Sequence, residues 1–389
     1  MQAREQAASS PNVADKDKAD VLILSSAVGS GHMRASAALS RGVKLLDPSC
    51  SCRTVDFPHE VSPAAERALH AVYLESLKLW PAAYGRLYRS SGGAHAETYQ
   101  HYLGTPGLRA LERLGAATGA RALVAPHFYG AGVLEAYKHR HPEAFCAAVL
   151  TDYGPHRLGV PPNLDLYVVA DEAAAEAVAR LGVPGDRIHP TGIPIDPAFE
   201  EPADVAAVRR DLLGIPEEDD LPVALVMGGG LGGGALGRVV GSLIEASPAM
   251  HLVVLCGSNE EARRRLTHLA KKRRHPATCM GFTDRVRELM AASRVLVSKP
   301  GGLSCAEALA AGLPQVLYHP IPGNEEENAA AMVRYGAGVL TVNDREILAE
   351  TLKILTSPAL RRRMSEAAHA AHRPHSARRA AELVLGGIG

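Results

Sequence analysis

Ser298-Lys299-Pro300-Gly301-Gly302-Leu303-Ser304-Cys305-Ala306-Glu307 decides how this chain is read. It follows the apolar run 295–297 and opens a helical pattern that ends near Gly312. That is a strand, a glycine turn and a helix N-terminus. Backbone N–H groups without intrahelical partners, together with the positive end of the helix dipole, make such a terminus a site for anions. Further along, Pro322-Gly323-Asn324-Glu325-Glu326-Glu327-Asn328 is a polar turn entering another helix. The two segments imply a pocket for a phosphorylated, hydroxyl-rich ligand, and a nucleotide-sugar fits that description.

The same alternation of β-rich runs and Ala/Leu-rich helical stretches extends through the chain. In the first half, strands are expected at 21–25, 53–57, 122–128, 145–151 and 166–170, with helices such as 33–46 and 172–181. Apolar runs joined by helical crossovers indicate a parallel sheet. Around 194–222 the texture becomes proline-rich and acidic, with one expected helix at 205–213. The alternation then restarts, with strands at 223–227, 251–256, 278–282, 294–298 and 315–319. The reading is an α/β chain of two Rossmann-like domains facing a cleft. Its parts are a polar leader at 1–19, a first domain at 20–196, a linker at 197–221, a second domain at 222–357, and a helical tail at 358–389 that packs back toward the first domain.

At 389 residues, two full cores are affordable in length, and 47% hydrophobic with 22% charged residues is ordinary for a globular protein. Lysine plus arginine (42) equals aspartate plus glutamate (42), which argues against a dedicated nucleic-acid partner. The six cysteines form no C-x-x-C pair and no zinc spacing, and they fit a reducing cytosol. No apolar run is long enough to span a bilayer, and the leader lacks the apolar core of a signal peptide. Asp15-Lys16-Asp17 spells a D-x-D motif, but it lies in the leader and follows no strand. No metal site and no cofactor are expected.

Six segments bear chemistry. In Ala27-Val28-Gly29-Ser30-Gly31-His32, Gly29 and Gly31 let the chain turn tightly and let a ligand approach the backbone. His32 falls at a helix N-terminus, where the dipole disfavours imidazolium. A neutral ring there can take a proton from a hydroxyl; the alternative is a histidine that only packs the turn. The loop 228–234, with Gly229 and Gly230, is either a set of N–H groups near a pyrophosphate or a flexible turn. It is not the dinucleotide fingerprint. Ser304 and Glu307 form an S-x-x-E pair, which reads as a capping box with Ser304 as N-cap, or as a carboxylate for ribose hydroxyls, or as both. Lys299 is a phosphate contact or a solvated lysine. Asn324, Glu325 and Asn328 suit a helix dipole or bind sugar hydroxyls. Asp152, at the end of a strand, orients a reacting hydroxyl or His32, or caps a turn. Leu69, Tyr73, Leu77, Trp80, Tyr84 and Leu87 form one helical stripe with Arg86 nearby. This is a core-facing helix or an interfacial one that seats the protein on a bilayer.

At these residues the chain resembles the processive diacylglycerol glycosyltransferase and monogalactosyldiacylglycerol synthase family, and more distantly the GlcNAc transferase of peptidoglycan synthesis. The resemblance rests on the 298–309 and 321–329 blocks, on Gly29-Ser30-Gly31-His32-x-Arg34-Ala35-Ser36-Ala37, and on Thr151-Asp152-Tyr153 and Thr191-Gly192-Ile193-Pro194. It implies a GT-B fold with a UDP-sugar in the C-terminal domain and an acceptor in the N-terminal one. By position, Glu307 would hold the ribose, with Gly229, Gly230 and the segment Gly301, Gly302, Leu303, Ser304 around the diphosphate. Phe282 would lie along the uracil. Asn324, Glu325 and Asn328 would face the sugar or phosphate edge, and His32 would be the base or position the acceptor. The resemblance further implies inversion at the anomeric carbon without metal. It also implies a diacylglycerol-like lipid acceptor and an anionic membrane surface as partners, with the protein peripheral on the inner face of the cell membrane. Two departures bear on substrates: Gly159 stands where many relatives carry an aromatic, and Asn324 where glutamine is frequent. Rival readings are a transferase for a soluble acceptor, a sugar-nucleotide epimerase of the same fold, and a non-catalytic binding module.

Overall fold

Strands apolar on both faces are satisfied only inside a sheet that helices cover on each side. The computed structural model, which describes residues 18–27, 30–64, 96–229, 236–246, 250–271 and 276–389, contains two such sheets. Residues 1–17, Gly29, Gly230 and the 69–88 stripe with Trp80, Tyr84 and Arg86 lie outside the described residues.

The first sheet comprises β1 (Val21–Ser25), β2 (Cys52–Asp56), β3 (Ala122–Ala125), β4 (Phe145–Val149), β5 (Leu166–Val168) and β6 (Ile188–His189). All pair in parallel, in the order β2-β1-β3-β4-β5-β6. Around it lie α1 (Ser30–Leu46), α2 (Phe57–Val61), α3 (Ala96–Thr118), α4 (Phe128–Arg140) and α5 (Glu172–Arg180). The second sheet comprises β7 (Val223–Met227), β8 (His251–Leu255), β9 (Ala277–Met280), β10 (Val295–Ser298), β11 (Gln315–Tyr318) and β12 (Gly338–Thr341), in the order β12-β11-β10-β7-β8-β9. Its helices are α6 (Leu236–Ile244), α7 (Glu260–Lys271), α8 (Val286–Ala291), α9 (Gly302–Ala310), α10 (Asn324–Tyr335) and α11 (Asp344–Thr356), followed by α12 (Pro358–Ala371) and α13 (Ser376–Gly386).

Strand order reverses between β1 and β3, and again between β7 and β10. At such switch points neighbouring crossovers leave to opposite faces and open a crevice at the carboxyl ends of the strands. α1 follows β1 and α9 follows β10, so the N-termini of both helices stand at a switch point.

Some expected strands are too long. β3 stops at Ala125 because Pro126 has no N–H for the ladder and Phe128 opens α4. β4 stops at Val149, which frees Thr151 and Asp152 for the loop. β6 and β12 were not foreseen: one has two residues and the other begins with glycine. The linker helix is a turn at Val205–Ala207 that widens at Val208–Leu212.

The chain returns to its first half at the end. Ala380, Ala381 and Val384 of α13 share a core with Leu39 and Val43 of α1 and with Val21 and Ile23 of β1. A second cluster joins the two halves directly, with Leu303, Ala306 and Leu309 packed among Tyr153, Ile193 and Ile195. Gly42 marks the tightest point of the α1–α13 contact: a Cβ there would sit 2.4 Å from the backbone oxygen of Ala377. In an open helix, Gly→Ala stabilises by about 1 kcal/mol. Here overpacking reverses the sign, and Gly42→Ala should destabilise by about 1–3 kcal/mol. Calorimetric melting of the variant checks this; a Tm at or above the parent's would show that α13 is not held against α1 in this way.

Candidate functional site

His32 is the third residue of α1, at the carboxyl end of β1. Its Nδ1 lies 3.0 Å from the Pro126 carbonyl and 3.1 Å from Thr151 Oγ1. A carbonyl only accepts, so Nδ1 carries the proton and Nε2 keeps its lone pair. The ring of His127 meets His32 edge-on at 4.7 Å between centroids. Both imidazoles are held below the ordinary histidine pKa. For His32, burial is the leading cause, with Asp152 and the Pro126 hydrogen bond pulling the other way. For His127, burial leads and His32 adds to it. The expected direction for His32 is present, but desolvation rather than the helix dipole accounts for it.

Asp152 does not contact His32 by a hydrogen bond; Thr151 does. The Asp152 carboxylate instead accepts from Asn328 Nδ2 at 2.7 Å and from Asn324 Nδ2 at 3.3 and 3.4 Å. Asn328 is fully buried. Its other amide hydrogen goes to the Pro300 carbonyl at 3.0 Å, and its oxygen accepts from Tyr153 N–H at 2.7 Å. Both donors of Asn328 are therefore used by protein. Asn328, which the resemblance puts at the sugar or phosphate edge, ties the halves together in this arrangement.

The S-x-x-E pair is not a capping box. The N-cap of α9 is Gly301, and Ser304 lies inside the helix. Glu307 reaches across the seam instead, and its Oε1 accepts from the Arg34 guanidinium of α1 in an ion pair. Glu307 is 1% exposed, and its Oε2 has no hydrogen-bond partner. Burial pushes its carboxyl upward, and the adjacent guanidinium pulls it back. At the head of the same turn, Ser298 Oγ is likewise buried without a partner. Buried polar atoms without a partner are unusual in a native interior. Sequence reasoning took Arg34 only as part of a matching block and missed it as a partner; nothing local marks it.

Gly302 permits the approach of α9 to the first half, since a Cβ there would fall 2.0 Å from the Thr151 oxygen. Leu303 belongs to the apolar seam, so only its backbone is placed for a ligand. Glu325 folds back to accept from Ile321 N–H at 2.6 Å. Burial raises its carboxyl, while that bond and Lys299 oppose the rise. One oxygen of Glu325, Oε2, is thus committed to the backbone in this arrangement. Gly229 has positive φ (75°) with open space at its Cβ position. Phe282, just beyond β9, is 77% exposed. Gly31 has open space where a side chain would be. Among the described residues, no helix is long and apolar enough to cross a membrane.

Two family models match the chain: monogalactosyldiacylglycerol (MGDG) synthase over residues 32–195, and the glycosyltransferase family 28 C-terminal domain over 223–384. A processive diacylglycerol beta-glucosyltransferase of Bacillus cereus (strain AH187) is 30% identical over 245 residues, 61% of this chain. The chain thereby spans 60% of that relative's length. An enzyme of the same name from Staphylococcus saprophyticus is 26% identical over 359 residues, covering 92% of this chain and 90% of the relative. Among solved structures, Anabaena Alr3699/HepE in complex with UDP-glucose superposes with a TM-score of 0.57 at 14% identity, covering 94% of this chain and 98% of that one. That likeness establishes the two-domain GT-B architecture.

The Asn328 amide gives a test of the seam. Asn328→Leu strands Tyr153 N–H and the Pro300 carbonyl, at about 1–3 kcal/mol for each buried orphan. Asn328→Asp sets a second carboxylate against Asp152. Like charges raise the pKa of such a pair above its unfolded value, so the variant should regain stability as pH falls. Urea unfolding at pH 7 and pH 5 measures both; a variant as stable as the parent at pH 7 would sink the proposed tie.

Proposed function

Because the chain belongs to the monogalactosyldiacylglycerol synthase and processive diacylglycerol glycosyltransferase family, we propose that it transfers a hexose from a UDP-sugar to the hydroxyl of a diacylglycerol-type lipid. The transfer inverts the anomeric carbon and takes place at the inner face of the cell membrane, with the protein peripheral to it. The observation that carries this reading is Glu307. An enclosed carboxylate with a spare oxygen, one turn behind a glycine-rich helix N-terminus, suits a ligand with a diol beside a diphosphate.

In this reading Glu307 accepts the ribose hydroxyls. The free N–H groups of α9, with Lys299, face the diphosphate. Gly229 lets the chain approach it closely, and Phe282 is accessible to stack on the uracil. The acceptor hydroxyl approaches from the first half, beside His32. Its oxygen forms a bond to the anomeric carbon as the bond from that carbon to the UDP oxygen breaks, and UDP leaves with the electron pair. The acceptor proton passes to Nε2 of His32. Burial keeps that ring neutral at rest, and the Asp152 charge favours the imidazolium as it forms. The charge on the departing UDP is met by preorganised N–H groups, so the step is proposed to need no bound metal. Donor entry requires the Gly302–Thr151 seam to open.

The test is a mass-spectrometric product assay with UDP-glucose, UDP-galactose and UDP-GlcNAc, with and without diacylglycerol in mixed micelles. A glycosylated diacylglycerol of inverted configuration is expected. Sugar-nucleotide consumption without lipid product would replace this reading with epimerisation or a soluble acceptor. His32→Ala should lower kcat/KM by about 10²–10⁴. Because the His32 pKa is depressed, kcat/KM should fall on acidification with its half-loss below about pH 6.5. A rate that falls already between pH 8 and 7 would remove a neutral His32 from the role of base.

A further inference from the structure

Arg34 stands two residues beyond His32, on the opposite side of the cleft from the proposed donor site, yet it holds the residue on which that site depends. The ion pair is lopsided. The Glu307 side chain is 2% exposed and that of Arg34 is 33% exposed. The carboxylate is fixed in the interior, while the guanidinium can swing out at little desolvation cost. One of the two carboxylate oxygens is also unused, since Oε1 takes Arg34 and Oε2 takes nothing.

A ribose diol that chelates a carboxylate sets one O–H on each oxygen, so the hydroxyl at Oε1 competes there with Arg34. The diol is neutral, however, so it removes hydrogen bonds from the list of unmet needs without replacing the positive charge. A buried carboxylate left without a cation is strongly unfavourable. The cation must stay close, and the ligand itself supplies a second anchor for it. Glu307 lies five residues into α9 from Gly302, about 7.5 Å along the axis at the standard helical rise. The diphosphate at that N-terminus is within the swing of an arginine.

We propose that Arg34 is a further donor-site residue, lent by the N-terminal domain, that holds Glu307 while the site is empty and passes to the donor's diphosphate when the ribose takes the carboxylate. The inference rests on the UDP-sugar reading above. Arg34 thereby couples nucleotide binding to the position of α1, and so to His32. A fixed clamp between domains would do none of this; it would affect every ligand of the cleft alike.

Isothermal titration of the full chain with uridine and with UDP separates the two. Arg34→Ala should weaken UDP about tenfold or more, the worth of one charge-assisted hydrogen bond. Uridine, which has the diol but no phosphate, should bind as well as before or tighter, because Oε1 is already free. Arg34→Lys, which keeps the charge, should retain most of the preference for UDP over uridine. Should Arg34→Ala fail to fold, Arg34→Gln keeps an amide donor for Glu307 without the charge and should show the same collapsed preference. Equal shifts for uridine and UDP, or no shift for either, would overturn the exchange while leaving the donor reading intact. Parent protein that binds neither ligand would overturn the donor reading and the exchange with it.

Discussion

The buried amide of Asn328 is the constraint on which the site's geometry depends. It joins three chain segments that share no local sequence: the loop after β4 through Asp152 and Tyr153 N–H, the turn after β10 through Pro300, and α10, which carries it. A fully buried amide is tolerated only when its donors and acceptor are met, so the three segments part only where those bonds are replaced. Gly302 makes the approach physically possible, because any side chain at that position would collide with the Thr151 carbonyl. Around this polar link the apolar seam of Leu303, Ala306 and Leu309 against Ile193 and Ile195 supplies the burial.

Desolvation then sets the chemistry on both sides of the seam, with opposite results. It keeps His32 neutral and pushes Glu307 toward protonation. Each is moderated by a group of opposite charge: Asp152 for His32 and Arg34 for Glu307. Burial against a counter-charge is how interiors hold titratable groups ready for use. Ser298 Oγ and Glu307 Oε2 are among the buried polar atoms left without a partner.

Much of the frame was legible beforehand. The strand cores at 21–25 and 223–227 were read at their observed limits, since each is a continuous aliphatic run ended by a turn. The helix after Gly301 and its end at Gly312 were legible for the same reason: glycine at one end and left-handed backbone at the other are local requirements. What failed was partner choice. The S-x-x-E spacing pointed to a local cap, yet Glu307 bonds a residue 273 positions away. Asp152 was read as orienting a reacting hydroxyl or His32, or as capping a turn; its hydrogen bonds go to Asn324 and Asn328, partners no local pattern named, while Thr151 touches the ring. His127 gave no pattern at all; it meets His32 only because β1 and β3 are neighbours in the sheet.

The sequence by itself determined the alternation of strands and helices, the two glycine turns at strand ends and the chemical types gathered there. These follow from side-chain periodicity and backbone freedom, which act over a few residues. Only the tertiary structure decided which charged and polar groups pair and which oxygens stay unmet. Those outcomes depend on burial and on distances between segments remote in the chain. Strand order sets both, and a linear pattern of residues does not record it.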